Sequence, residues 1–229
     1  MTGTVRVWLI GTHLPSAAVD QCREVLDAGE RARAADLDDP GDRLRFTVAH
    51  GALRILAGRE LGVPPAELHW AAGPHGKPGL LPPWSGLHTS LSHSGAMVAA
   101  AVSTGRPVGV DIQQVVPGLD PVRLSARFFP AAEASYVADG GPGDQGDRFA
   151  ALWARKEAVV KANGGRLWVN LRMPVRDRAV VCPVEPPGPH RVADFAAPPG
   201  FRAAVALTGA AAFTVRHVTA KEHGLWDPR

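Results

Sequence analysis

The sequence predicts an α+β fold of two similar halves, with a functional site at their interface. Three observations carry this expectation. Two long apolar-periodic segments, residues 42–61 and 149–162, each have the spacing of a helix. Each is accompanied by short alternating segments with the period of strands. Gly105-Arg106-Pro107 punctuates the chain near its midpoint and divides 229 residues into 1–106 and 107–229. With 45% hydrophobic residues, a chain of this length can bury a real core.

In the first half, residues 5–10 alternate as a strand. Residues 15–26 form a short helix ending near Gly29. The helix over 42–61 sets Leu44, Val48, Leu53 and Leu56 at helical spacing, and Gly62 with Pro64-Pro65 stops it. Arg43, Arg45, His50 and Arg54 occupy its other positions. Residues 73–83 are a turn-rich connection. Residues 87–91 and 96–102 are strands around Ser92-His93-Ser94-Gly95, read as a hairpin-like turn. In the second half, residues 108–115 are a strand and 121–128 a short helix. Pro130 opens another helix near Glu133, as proline does at a first helical position. Residues 139–147, DGGPGDQGD, are a flexible break. The helix over 149–162 stops at Asn163-Gly164. Strands follow at 179–182, 201–207 and 212–218, with a loop over 183–190.

The net charge is +3 and charged residues are 21%, while the pI is about 9.2. That balance suits an anionic ligand or an acidic partner. No stripe of clustered Lys and Arg interleaved with aromatics is present, so nucleic acid is not the expected partner. Lysine occurs only at 77, 156, 161 and 221; arginine supplies the remaining positive charge. Cys22 and Cys182 lie in no CxxC pair and beside no His at metal spacing, which argues against zinc; they read as buried apolar thiols. The first residues, MTGTVRVWLIGTHL, lack a cationic start and read as a strand rather than a signal. No uncharged apolar run reaches the ~20 residues of a membrane span. A cytoplasmic chain with no membrane partner is the expectation.

Two segments carry the candidate chemistry. In VGVDIQQV, residues 108–115, Asp111 and Gln113 share one face because a strand repeats every second residue. An Asp within an apolar strand is costly to bury unless it is paired or holds a metal. In LWARKEAVVKANGGRL, residues 152–167, Glu157 and Lys161 share a helix face four residues apart. Taken singly, each has an ordinary alternative: Asp111 on a solvent-facing edge strand, and Glu157 with Lys161 as a surface pair. His93 in a small-residue turn, with nearby backbone N–H groups, suits an anion. Gly76-Lys77-Pro78 is by itself a plain turn.

Taken together, the order GKP, SLSHSG, VGVDI, FFPAAE and WARKEAVVKANG resembles the 4'-phosphopantetheinyl transferases, specifically the longer, pseudo-dimeric Sfp-type group. The resemblance spans residues 43–167. It implies transfer of the 4'-phosphopantetheine arm of coenzyme A to a serine of an apo acyl or peptidyl carrier protein, with release of 3',5'-ADP and use of Mg2+. It implies metal ligands at Asp111 and Glu157, with Glu157 also placed to deprotonate the carrier serine. By the same resemblance Lys161 holds the diphosphate, and Ser92 and His93 contact the diphosphate or 3'-phosphate. Lys77 stands near the coenzyme's phosphates, and Arg45 and His50 against the 3'-phosphate.

The sequence departs from the family pattern at three places. Gln113 stands where a third acidic ligand usually falls, so that position can coordinate only by an amide carbonyl or through water. Gly164-Gly165-Arg166-Leu167 shifts the second glycine of a GxGL pattern. His50 stands where an Arg is common. Gln113 also leaves room for a second class of function, an inactive relative that binds coenzyme A or a carrier protein without turnover. The carrier's pathway is open, and a monomer is expected.

Overall fold

The computed structural model describes residues 3–73, 77–165, 171–183 and 187–219. The chain is a mixed α+β protein. Its elements run β1 (Gly3–Gly11), α1 (Ser16–Glu24), α2 (Ala28–Ala35), α3 (Pro40–Leu61), β2 (Trp70–Ala72), β3 (Pro78–Leu80), β4 (Leu87–Ser94) and β5 (Met97–Thr104). They continue with β6 (Val108–Gln114), α4 (Pro121–Phe128), α5 (Ala131–Ala138), α6 (Gln145–Asn163), β7 (Ala179–Cys182), β8 (Gly188–Phe195), β9 (Phe201–Thr208) and β10 (Phe213–His217). Two four-stranded sheets form, in the orders β10-β1-β5-β4 and β6-β9-β8-β7; β2 and β3 make a small hairpin.

Side-chain alternation assigns the layers. On β1 and β5, Trp8, Ile10, Val98, Ala100 and Val102 pack with Leu53 and Leu56 of α3. On β9, Ala204 and Ala206 pack with Leu152, Val159 and Val160 of α6. The opposite faces of both sheets meet in a third core, where Val5, Val7, Ala99 and Ala101 touch Val108, Val110, Ile112, Val205 and Leu207. Strands buried on both faces read as nearly continuous apolar runs, and β5 and β9 have that character. Cys22 and Cys182 are buried and outside any disulfide, one in each helix-on-sheet core.

Where β4 meets β6, serine side chains replace a backbone ladder. Ser90 Oγ accepts a hydrogen bond from Val110 N at 3.0 Å, and Ser94 Oγ accepts one from Gln114 N at 3.0 Å. Between β5 and β6, Arg106 donates to the carbonyls of Thr208 (2.7 Å), Ala211 (3.0 Å) and Gly209 (3.1 Å).

Several elements differ from expectation. Ser92, His93 and Ser94 lie within β4, paired with Ala99, Val98 and Met97 of β5. The turn comes one residue later, at Gly95, whose φ of 52° is the left-handed conformation glycine tolerates. Helix α2 falls where no element was expected. Its start is a capping box: Asp27 Oδ1 accepts from Glu30 N at 2.8 Å and Glu30 Oε2 accepts from Asp27 N at 3.1 Å. Helix α6 begins at Gln145, inside the expected break, and the Gln145 side chain bonds back to Gly140 O at 3.0 Å. Strand β8 starts within the expected loop over 183–190. Strand β10 pairs in parallel with β1, Gly3 opposite Phe213, so the end of the second half of the sequence completes the first sheet. Among the described residues no helix is long and apolar enough to cross a membrane.

Candidate functional site

Helix α6 lies directly on strand β6 because residue 109 has no side chain. A Cβ on Gly109 would stand 2.0 Å from Ala158 O and 2.3 Å from Ala162 N. Two residues along the same strand face is Asp111, and the close approach brings Lys161 to it. Lys161 Nζ donates to Asp111 Oδ1 at 2.6 Å, and Ser92 Oγ donates to the same oxygen at 2.6 Å. Asp111 is only 4% exposed, and its Oδ2 is a buried atom with no hydrogen-bond partner among the described residues. β6 is the edge strand of its sheet, but Asp111 does not face solvent. Burial pushes the Asp111 carboxyl up, against the pull of Lys161, Ser92 and His93. Glu157, one turn before Lys161, is also raised, first by burial and then by the charge of Asp111, while Lys161 opposes the shift. Lys161 bonds Asp111, so it is not spent on a surface pair with Glu157.

The neighbouring Lys156 points away from this group. It is fully buried and donates to Glu133 Oε2 at 2.5 Å and to Met173 O, with its ammonium 4.6 Å from the centre of the Phe129 ring. Glu133 Oε1 accepts from Val175 N at 2.5 Å. Phe129 and Glu133 belong to FFPAAE, so this ion pair ties that motif to WARKE.

A cleft of about 1010 Å³ opens on the group. Asp111, Gln113, Glu157 and Lys161 line it from the second half; Ser92, His93, His50 and Lys77 line it from the first. His93 is an exposed residue of this lining. Partial burial, and then the charges of Arg45, Lys161 and His50, lower its pKa. Gln113 Nε2 donates to Gln114 O at 3.2 Å. His50 stacks on Phe46 at 4.0 Å and lies 3.4 Å from Glu30 Oε1. Arg45 braces the β4–β5 turn through Gly95 O at 3.0 Å and pairs with Asp42; it does not line the cleft. Lys77 Nζ donates to Val108 O at 2.8 Å and Ala162 O at 3.3 Å, joining the start of β6 to the end of α6. Burial pushes this ammonium down to about 8. Gly76, Arg166 and Leu167 lie outside the described residues.

The sequence reading missed Arg33 and Arg54, which also line the cleft. Arg54 is 2% exposed. It donates to Glu30 Oε2 at 2.5 Å and Leu68 O at 2.9 Å, pairs with Asp27, and lies 4.7 Å from the Trp70 ring centre. Arg33 sits over Phe46 at 5.5 Å. The signal was the capping box in DAGE, which would have located α2 and brought its acids against α3. Among the described residues no group of three or more His, Cys, Asp or Glu side chains stands together as a metal cluster. The arrangement instead offers two carboxylates, one with an unpaired buried oxygen, beside lysine in a cleft walled by cations.

Comparison with known proteins agrees with this geometry. Residues 107–185, which include Asp111, Glu157 and Lys161, match the model of the 4'-phosphopantetheinyl transferase superfamily. The chain is 32% identical over 166 residues to the 4'-phosphopantetheinyl transferase HetI of Nostoc sp., covering 72% of this chain and 70% of that protein.

The chain belongs to the Sfp-type 4'-phosphopantetheinyl transferase family.

It is an enzyme of that class. A 4'-phosphopantetheinyl transferase of Bacillus subtilis is 28% identical over 158 residues, 69% of each chain. The transferase Sfp of Bacillus subtilis is 28% identical over 130 residues, 57% of this chain and 56% of that one. In this phosphopantetheinyl transferase the matched region carries the carboxylates, while β4 supplies Ser92 and His93 from outside it.

Proposed function

We propose that this transferase moves 4'-phosphopantetheine from coenzyme A to a serine of an apo acyl or peptidyl carrier protein, with release of 3',5'-ADP and dependence on Mg2+. The observation that carries the reading is the buried Asp111 carboxylate, clamped through Oδ1 and unpaired at Oδ2, beside Glu157 and Lys161 in a cleft with cationic walls. The unpaired oxygen and the nearby second carboxylate suit a hard divalent cation, which takes oxygen ligands and keeps several waters. Asp111 and Glu157 would hold it, with Gln113 offering an amide carbonyl or a water contact. Bound there, magnesium supplies charge neutralisation to the diphosphate.

The chain's own groups do the rest. Lys77 supplies positive charge for the coenzyme's phosphates, and His93 and His50 line the cleft as hydrogen-bonding partners, with His50 directed to the 3'-phosphate. Arg45 lies outside the cleft and acts only by bracing the turn at Gly95. Glu157 takes the proton of the carrier serine, directly or through water. The serine Oγ–phosphorus bond forms as the bond from phosphorus to the 3',5'-ADP oxygen breaks. Lys161 stabilises the charge that gathers on the phosphoryl oxygens. We read the two sheet-and-helix units as the two halves of a pseudo-dimer, divided at residues 106 and 107, in a monomeric cytoplasmic enzyme.

The test is mass spectrometry of apo carrier proteins incubated with enzyme, coenzyme A and Mg2+. A gain of one phosphopantetheine that disappears in excess chelator is expected. Asp111→Asn and Glu157→Gln should each lower turnover by about 10²–10⁴-fold. Modification at the wild-type rate in chelator would remove the metal from the reaction.

A further inference from the structure

Ser90, Ser92 and Ser94 stand at alternate positions of β4, and all three reach β6. They do not do the same thing. Ser90 and Ser94 accept backbone N–H groups, which staples the two sheets together. Ser92 instead donates its one hydroxyl hydrogen to Asp111 Oδ1. A carboxylate oxygen has two lone-pair sites, and Lys161 fills the other. Oδ1 is thereby saturated, and the carboxylate cannot turn without breaking both bonds. The orphaned Oδ2 is the atom left for a ligand.

We propose that Ser92 is a positioning residue: its hydroxyl orients the Asp111 carboxylate so that Oδ2 faces the divalent cation, and does not itself grip a phosphate. This rests on the reading of Asp111 as a metal ligand. A hydroxyl has one hydrogen, so donating to a phosphate oxygen would release Asp111. Two rigid strands set the geometry, because Ser92 is laddered to Ala99 in β4–β5 while Asp111 is laddered to Ala204 in β6–β9.

The experiment uses the full chain with Mn2+ as probe, read by electron paramagnetic resonance. Coenzyme A kinetics at saturating metal and thermal midpoints accompany it. Asp111→Asn tests the metal reading and should weaken Mn2+ strongly. Ser92→Ala should weaken Mn2+ about tenfold, the size of effect seen when an outer-shell partner of a ligand is removed. Its KM for coenzyme A should stay close to wild type. Ser92→Thr, which keeps the hydroxyl, should restore Mn2+ affinity. Ser90→Ala loosens the same junction without touching Asp111, and should lower the thermal midpoint while leaving Mn2+ affinity intact. If Ser92→Ala does not fold, Ser92→Cys makes the same comparison with a weaker donor.

A raised KM for coenzyme A with unchanged Mn2+ affinity would make Ser92 a phosphate contact and overturn the proposal. Equal Mn2+ loss in Ser90→Ala would reduce Ser92 to general packing and overturn it as well. If Asp111→Asn leaves Mn2+ binding unchanged, it is the metal reading of Asp111 that fails.

Discussion

Lys156 and Lys161 belong to one helix and one motif, yet they do opposite work. Lys161 reaches the cleft, while Lys156 is sealed against Glu133 and Phe129. Removing one partner of a buried pair strands the other charge. Lys156→Ala or Glu133→Ala should therefore destabilise by about 3–5 kcal/mol, measured by urea unfolding. Replacing both by apolar residues of similar size should recover most of that loss. The WARKE sequence alone could not separate these lysines, since neither spacing nor charge says which face of the helix meets solvent. Lys77 gives a pH-dependent prediction. Its ammonium titrates near 8 when folded and at an ordinary 10.5 when unfolded. Between those values the unfolded chain holds a proton that the folded chain has released, so this residue's contribution to stability rises with pH. Below 8 both states are protonated and the burial cost is fully present. Unfolding measured through the window should show wild type gaining stability relative to Lys77→Met as pH rises. Parallel curves would mean that Lys77 is not perturbed.

The contact between β6 and α6 rests on Gly109. In Gly109→Ala the new Cβ would meet Ala158 O at 2.0 Å, backbone that cannot swing aside. The helix must shift, carrying Glu157 and Lys161 away from Asp111. Overpacking of this kind costs about 1–3 kcal/mol, and turnover should fall much further than stability, which kinetics and urea unfolding on one preparation will separate. This element pair is legible in sequence: GVDI alternates cleanly and α6 is long and capped by Gly164, so spacing alone marks Asp111, Glu157 and Lys161 as candidates. Elements without a clear apolar period are harder to read. Helix α2 carries little apolar signal beyond its buried Ala34 and declares itself mainly through the Asp27–Glu30 box. SHSG looks like a turn because its residues are small and polar; in fact its serines are polar so that they can bond β6. That function depends on partners nineteen and twenty residues further along the chain, which local pattern cannot report.

At the scale of the whole molecule, the third core sits between the sheets and belongs to neither half alone. Cut between residues 106 and 107, each piece would expose one apolar sheet face, and the first would also lose β10. Separately expressed fragments should lack a cooperative thermal transition by circular dichroism, while co-expressed fragments should regain one together with transferase activity. Two independently cooperative fragments would contradict this account. The return of β10 also sets an order of events during synthesis. Strand β1 leaves the ribosome early, but its neighbour on one side is encoded about a hundred residues after β5. At about 5–20 residues per second, that edge waits roughly 5–20 s for its partner. An uncovered edge strand is a template for pairing with another chain. Translation speed through the second half, rather than folded-state stability, should then govern how much of this protein is recovered intact from a crowded cell.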